Sequence, residues 1–315
     1  MSDPGNNWNP PKNDPNQTNE AAGKPVEQGR QMTDAPPFSI AAQSSGEGVV
    51  VPVAAADRWA GVAEDLRGPW GWLDLLYLVL FWFASQVAAG IVVGAVVVAR
   101  GMDRHQFGEL TRNPAVVVGV ATAMFLLMML FISVMLRVRY QAPFWRTVGW
   151  RALRPRTLPP AAGMFLLVLG GIGLALAVIL LNVIFKAKSK LPIEEMFRDR
   201  QGVFLLMAMG ILLAPVVEET IFRGYIYPVI ARSWGVAVGV IATGTVFGLM
   251  HAPQLKGGTA QIVTLIVVGI VLTWVRAKTG TVLASFLVHL SYNSFLFLLT
   301  YAATEGFRKF PPTGG

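Results

Sequence analysis

The chain has 315 residues, 54% of them hydrophobic and 14% charged, with a mean hydropathy of +0.53. That balance excludes an ordinary soluble domain and places most of the chain in lipid. The net charge of +8 comes from Arg and Lys gathered in short connections between apolar runs, which argues against nucleic acid as a partner and fits contact with lipid head groups. Cysteine is absent, so disulfides, thiolate metal sites and cysteine nucleophiles are excluded, and any metal must use nitrogen or oxygen ligands.

Residues 1–56 are rich in Pro, Asn, Gln, Gly and Ser, with Pro pairs at Pro10, Pro11 and at Pro36, Pro37; this composition predicts a disordered tail. The tail lacks the charged-then-apolar order of a secretory signal peptide, so the first membrane helix, near Asp74, is expected to act as an uncleaved anchor. Apolar runs follow at about residues 75–99, 115–136, 161–185, 203–217, 235–251, 260–275 and 281–301. A bilayer core of roughly 30 Å needs about 20 helical residues, and the first three runs meet that comfortably. The expected fold is therefore all-α: a polytopic transmembrane bundle of about seven to eight helices behind a disordered N-terminal tail.

The fourth run, VFLLMAMGILLAPVV, leads directly into two glutamates. Pro215, three residues before Glu218, removes a backbone donor and disturbs the hydrogen-bond ladder, so a kinked helix is expected to continue through Tyr225 and Tyr227. Six basic residues between the second and third runs, Arg137 to Arg156, face five after the third, Lys186 to Arg200; the excess favours a cytoplasmic six-Arg loop. Residues 191–200 read as a solvated or interfacial helix with a Glu194–Arg198 pair one turn apart.

Ionisable groups inside the apolar runs are few and clustered. Glu218, Glu219 and Arg223 end the fourth run, His251 ends the fifth, and His289 lies within the seventh. A charge at membrane depth costs roughly 2.5 to 3.5 kcal/mol on insertion scales, so each such group needs a partner or a task. Glu219 and Arg223 are four residues apart, as are Phe247 and His251, and His289 and Asn293; each pair shares a helix face. Two imidazoles, a carboxylate and an amide on three segments could converge on one pocket, activating water and stabilising an oxyanion. Bland readings stand beside this one: a structural Glu219–Arg223 ion pair, and Asn293 as a helix-to-helix hydrogen bond. Phe247 reads as a packing wall and Gly224 as a site of close helix approach. His105 reads as solvated, and Trp70, Trp72, Tyr77 and Trp82 as an interfacial belt.

EETIFRG at residues 218–224, FGLMH at 247–251 and HLSYN at 289–293 match, in order, the EExxxR, FxxxH and HxxxN motifs of the CPBP family of intramembrane peptidases. That family includes the CAAX prenyl endopeptidases and bacterial Abi-type proteins. The resemblance spans about Phe204 to Tyr301. It implies an organisation of tail 1–56, N-terminal membrane helices 57–200, catalytic membrane domain 201–304 and short tail 305–315.

The implied activity is hydrolysis of a peptide bond in a membrane protein or peptide at the cell membrane. Glu218 with His251 would polarise the attacking water, His289 and Asn293 would bind the oxyanion or help hold a metal, and Arg223 would anchor the glutamate pair. Glu219 would either pair with Arg223 or be the protonated member of that pair. The resemblance leaves metal use open: Glu218, His251 and His289 would suit a divalent ion such as zinc, or there is none. Other intramembrane protease designs fit worse, because HExxH, GxSG and GxGD are all missing. The competing readings are a proton- or ion-coupled transporter, for which no internal repeat is visible, and a non-catalytic scaffold or immunity protein. Oligomeric state is not legible.

Overall fold

The computed structural model describes residues 59, 61–153, 159–185, 200–255 and 258–308. The predicted disordered tail lies outside these residues, as do residues 191–199 of the helix expected over 191–200. The helices run α1 Trp72–Ala99, α2 Arg104–Arg112, α3 Pro114–Val134, α4 Phe144–Thr147, α5 Pro160–Ile184, α6 Arg200–Ala208, α7 Ala214–Glu218, α8 Tyr227–Trp234, α9 Val236–Met250, α10 Thr259–Thr279 and α11 Val282–Ala303. No strand occurs among the described residues.

Among the described residues, six spans are long and apolar enough to cross a membrane: Trp72–Ala99, Pro114–Arg139, Pro160–Ile184, Gly202–Trp234, Thr259–Thr279 and Val282–Ala303, with Val236–Met250 as a shorter apolar helix. These are the seven apolar runs expected. The fourth extends furthest beyond its expected bounds, because α6, α7 and α8 join through two π-helical segments, Met209–Leu213 and Glu219–Ile226. Widened turns of this kind are rare and cluster at functional sites.

Local chemistry sets the helix starts. Asp74 accepts from the Gly71 N–H at 2.8 Å to open α1. Asp103 and Gln106 form a reciprocal capping box on α2, and Asn113 caps α3 ahead of Pro114; both devices satisfy N–H groups that a first turn leaves open. Gly280, at φ +73°, ends α10 in the left-handed region, and Thr281 caps α11 one residue later.

One end of the bundle is tied together by polar contacts. Arg276 donates to the Asp65 carboxylate at 2.7 Å, Arg232 donates to the carbonyls of Leu66 and Trp70, and the Val282 N–H meets the Gly149 carbonyl at 2.9 Å. Trp70 is buried, stacked on Tyr225 with ring centroids 5.0 Å apart, and its indole N–H donates to the Tyr225 carbonyl. It therefore belongs to the core, not to the expected interfacial belt; Trp72 and Tyr77 are exposed. His105 is exposed beside Glu109, as expected.

Close helix packing positions α10 against α9. A Cβ on Gly244 would lie 2.4 Å from the Ile270 nitrogen, one on Gly248 2.5 Å from the Ile266 nitrogen, and one on Gly269 2.5 Å from the Gly244 carbonyl oxygen. In lipid, small residues of this kind let two backbones approach. Gly224 behaves as expected, since its Cβ would meet the Val148 carbonyl at 2.6 Å. Gly244→Leu is expected to wedge α9 from α10, costing about 1–3 kcal/mol by overpacking. Thermal unfolding in detergent, followed by size-exclusion of the folded fraction, measures this; an unchanged melting temperature would contradict the packing described.

Candidate active site

Glu218 closes α7, and Glu219 opens the π-helical segment that follows. The wider π turn does not break the pairing of Glu219 with Arg223: Arg223 Nη1 donates to Glu219 Oε1 at 3.0 Å, with both side chains fully buried. Arg223 is further held by α10. Its Nε donates to Thr273 Oγ1 at 3.2 Å and its Nη2 to the Gly269 carbonyl at 2.9 Å. The guanidinium also lies over the Phe247 ring, 4.5 Å from the centroid, an attractive cation–π arrangement. The close approach of α9 and α10 at Gly244 and Gly269 thus places the carbonyl that Arg223 uses.

His289, on α11, points Nδ1 at Glu219 Oε1 at 3.0 Å. That oxygen is an acceptor, so Nδ1 is the protonated nitrogen and Nε2 faces the other way. His251, at the C-terminal end of α9, sets Nδ1 2.8 Å from the Phe247 carbonyl; its Nε2 is likewise the free edge. Both free edges converge on one carboxylate: His251 Nε2 is 3.9 Å from Glu218 Oε1, and His289 Nε2 is 3.8 Å from Glu218 Oε2. Glu218 and His251 keep 16% and 22% of their side-chain surface accessible, against 5% for His289 and none for Glu219. Reagents therefore reach Glu218 and His251 from one side, while Glu219 and Arg223 support His289 from behind.

Phe247 packs at the centre, 4.9 Å from the His251 ring, 5.9 Å from His289 and edge-on to Phe222 at 5.2 Å. It is the packing wall expected from the sequence. Of the expected site residues, Glu218, Glu219, Arg223, His251 and His289 are brought together. Asn293 follows His289 by one turn of α11, and its Nδ2 donates to the Gly210 carbonyl at 2.7 Å, the helix-to-helix contact that stood as its alternative reading.

The supporting groups missed in the sequence are Thr273 and Gly269 on α10, and Trp150, whose indole N–H donates to Thr220 Oγ1 at 2.9 Å. The sixth apolar run carried no ionisable group inside it to mark it as part of a site, and the Trp150 loop is separated from Thr220 by 70 residues.

A metal fits this arrangement poorly. Zinc bonds to imidazole nitrogen and carboxylate oxygen at about 2.0–2.2 Å, which puts tetrahedral ligand atoms about 3.3 Å apart. The spacings from Glu218 to the two imidazoles are 3.8 and 3.9 Å, and among the described residues no three His, Asp or Glu side chains form a group able to hold a metal ion. The donor types expected at Glu218, His251 and His289 are present, but their spacing is not that of a ligand set. A water oxygen suits the gaps better, at about 2.8 Å from each neighbour.

Residues 200–295, which contain Glu218, Glu219, Arg223, His251 and His289, match the family model for type II CAAX prenyl endopeptidase, Rce1-like. The segment is an Rce1-like domain. No curated protein matches the chain, and no solved structure matches it. The Rce1-like match agrees with the resemblance carried by the three motifs, and all three fall inside it. With six apolar spans and a domain of a membrane-embedded peptidase family, the chain is an integral membrane protein.

Proposed function

We propose that the protein is an endopeptidase of the cell membrane that hydrolyses a peptide bond of a membrane protein or membrane-associated peptide. The observation that supports this most is the convergence of His251 and His289 on the two oxygens of Glu218, within an Rce1-like domain.

In this reading a water molecule occupies the gap beside Glu218, hydrogen-bonded to His251 Nε2. Glu218 takes a proton as the water oxygen bonds to the substrate carbonyl carbon, acting as general base. Glu218 and Glu219 carry two negative charges against one on Arg223, and one proton shared by Glu218 and the imidazoles brings the set to neutrality, the least costly state in low dielectric. His289, oriented through Nδ1 by Glu219, carries that proton on Nε2 and donates it as a hydrogen bond to the developing oxyanion. Glu219 acts on His289 as the buried carboxylate of a catalytic triad acts on its histidine, fixing tautomer and orientation. Collapse of the tetrahedral intermediate breaks the carbon–nitrogen bond, and Glu218 returns its proton to the leaving amine. Arg223 holds Glu219 in place and does not meet substrate.

Each step uses only side chains of this chain, so hydrolysis by the purified protein is expected to survive EDTA and 1,10-phenanthroline undiminished. Product formation measured by mass spectrometry with and without chelator tests this. A loss reversed by added zinc would contradict the mechanism as written and restore the ligand role for Glu218, His251 and His289.

A further inference from the structure

We infer that Ser285 is a positioning residue: its hydroxyl donates to Oε2 of Glu219 and so fixes the carboxylate that orients His289. The consequence for turnover rests on the peptidase reading, whereas the contact itself does not. The inference starts from an asymmetry at Glu219. Arg223 Nη1 and His289 Nδ1 both donate to Oε1, each at 3.0 Å. Oε2 is equally buried and has no hydrogen-bond partner. A buried acceptor left open keeps its full desolvation penalty, and no bulk water relieves it at membrane depth.

The helix that carries His289 also carries a donor for that oxygen. Ser285 precedes His289 by four residues, which sets it on the same face of α11, one turn away. Its side chain is fully buried and lies within hydrogen-bonding reach of the Glu219 carboxylate. The hydroxyl also lies 3.1 Å from the Val282 carbonyl, three residues back. That carbonyl has a donor of its own in the α-helical ladder, the Phe286 N–H, and does not depend on the serine. A hydroxyl has a single hydrogen and rotates to suit its surroundings. A bond to a charged oxygen is roughly twice as strong as one to a neutral carbonyl, so the hydrogen goes to Glu219.

The effect reaches the imidazole through the plane of the carboxylate. The last torsion of a glutamate side chain is broad, and donors on Oε1 alone restrain it weakly. An sp² oxygen accepts best near the plane of its own group. An anchor on Oε2 fixes that plane, and with it the line from Oε1 to His289 Nδ1. The same line aims His289 Nε2 at Glu218, 3.8 Å away. Ser285 thus acts through Glu219 and His289, from the side away from the reacting atoms.

The test reads the imidazole directly. The chain has three histidines, His105, His251 and His289, so a protein labelled with ¹⁵N-histidine gives a spectrum simple enough to assign. In micelles without substrate, Ser285→Ala is expected to move the His289 Nδ1–H resonance and to leave that of His251 in place. Ser285→Cys keeps the volume and a weak S–H donor, and is expected to move it less. In turnover, Ser285→Ala is expected to lower kcat about tenfold with KM unchanged, the loss that follows when a reacting group is misplaced.

A serine needed only for packing would lower the melting temperature without moving the imidazole proton. An unmoved His289 resonance in Ser285→Ala would therefore overturn the inference, as would a kcat within about twofold of wild type. If Ser285→Ala does not fold, the same resonance in Ser285→Cys decides, and an unmoved line there overturns it. If the wild-type protein itself cleaves nothing, the peptidase reading fails while the resonance still tests the Ser285–Glu219 contact.

Discussion

Glu218→Gln is expected to lower peptide hydrolysis by about 10²–10⁴-fold, the range that loss of a general base produces, while leaving the amount of protein in the membrane unchanged. The substitution keeps the shape of the side chain and removes the group able to take a proton from water. Its effect on folding should be small, because Glu218 is partly accessible and meets the imidazoles across 3.8 and 3.9 Å without a direct hydrogen bond. His251→Ala removes the other accessible partner of the same water and should lose activity in parallel. The two losses should not multiply, since groups that act as a unit are strongly non-additive. Initial rates on reconstituted protein, normalised to folded protein by size-exclusion, give the comparison. Undiminished cleavage by both variants would sink the assignment.

Arg223→Met should act through the fold. Its guanidinium is fully buried and meets Glu219, Thr273 and Gly269 at once, so its removal leaves the buried Glu219 carboxylate without its cation. Breaking such a pair from one side typically destabilises by about 3–5 kcal/mol, whereas replacing both members by apolar or neutral groups is often nearly neutral. The expected result is a large drop in thermal stability for Arg223→Met, with much of it recovered when Glu219→Gln is added. Recovery of stability need not restore turnover, because Glu219 also orients His289. A single variant as stable as the wild type would show that the ion pair contributes little to the fold.

The position of the apolar helices could be read from the sequence because a membrane span is set by a strong one-dimensional signal, length and apolarity, and every expected run became a helix. The convergence of Glu218, Glu219, Arg223, His251 and His289 was legible too, since buried ionisable groups in lipid demand partners and few were present to choose among. What escaped depended on backbone register. Two π-helical segments in the fourth span leave little trace in residue pattern beyond Pro215 and Gly210, and they decide where Glu218 points. Trp70 looked interfacial because Trp at the edge of an apolar run usually is; its burial follows from Tyr225, 155 residues away, which no local pattern reveals. The metal expectation rested on donor types alone, and distances between side chains on three different helices were needed to weigh it.

The most direct measurement of the central claim is isotope incorporation at the newly formed C-terminus. Proteoliposomes holding the purified protein and membrane proteins from the cell that produces it are incubated in ¹⁸O-water, and new C-terminal peptides are compared for wild type and Glu218→Gln. Hydrolysis by water held beside Glu218 predicts new C-termini carrying one ¹⁸O atom with wild type and their loss with Glu218→Gln. New C-termini formed equally by both proteins, or none formed while a solute crosses the bilayer, would contradict it.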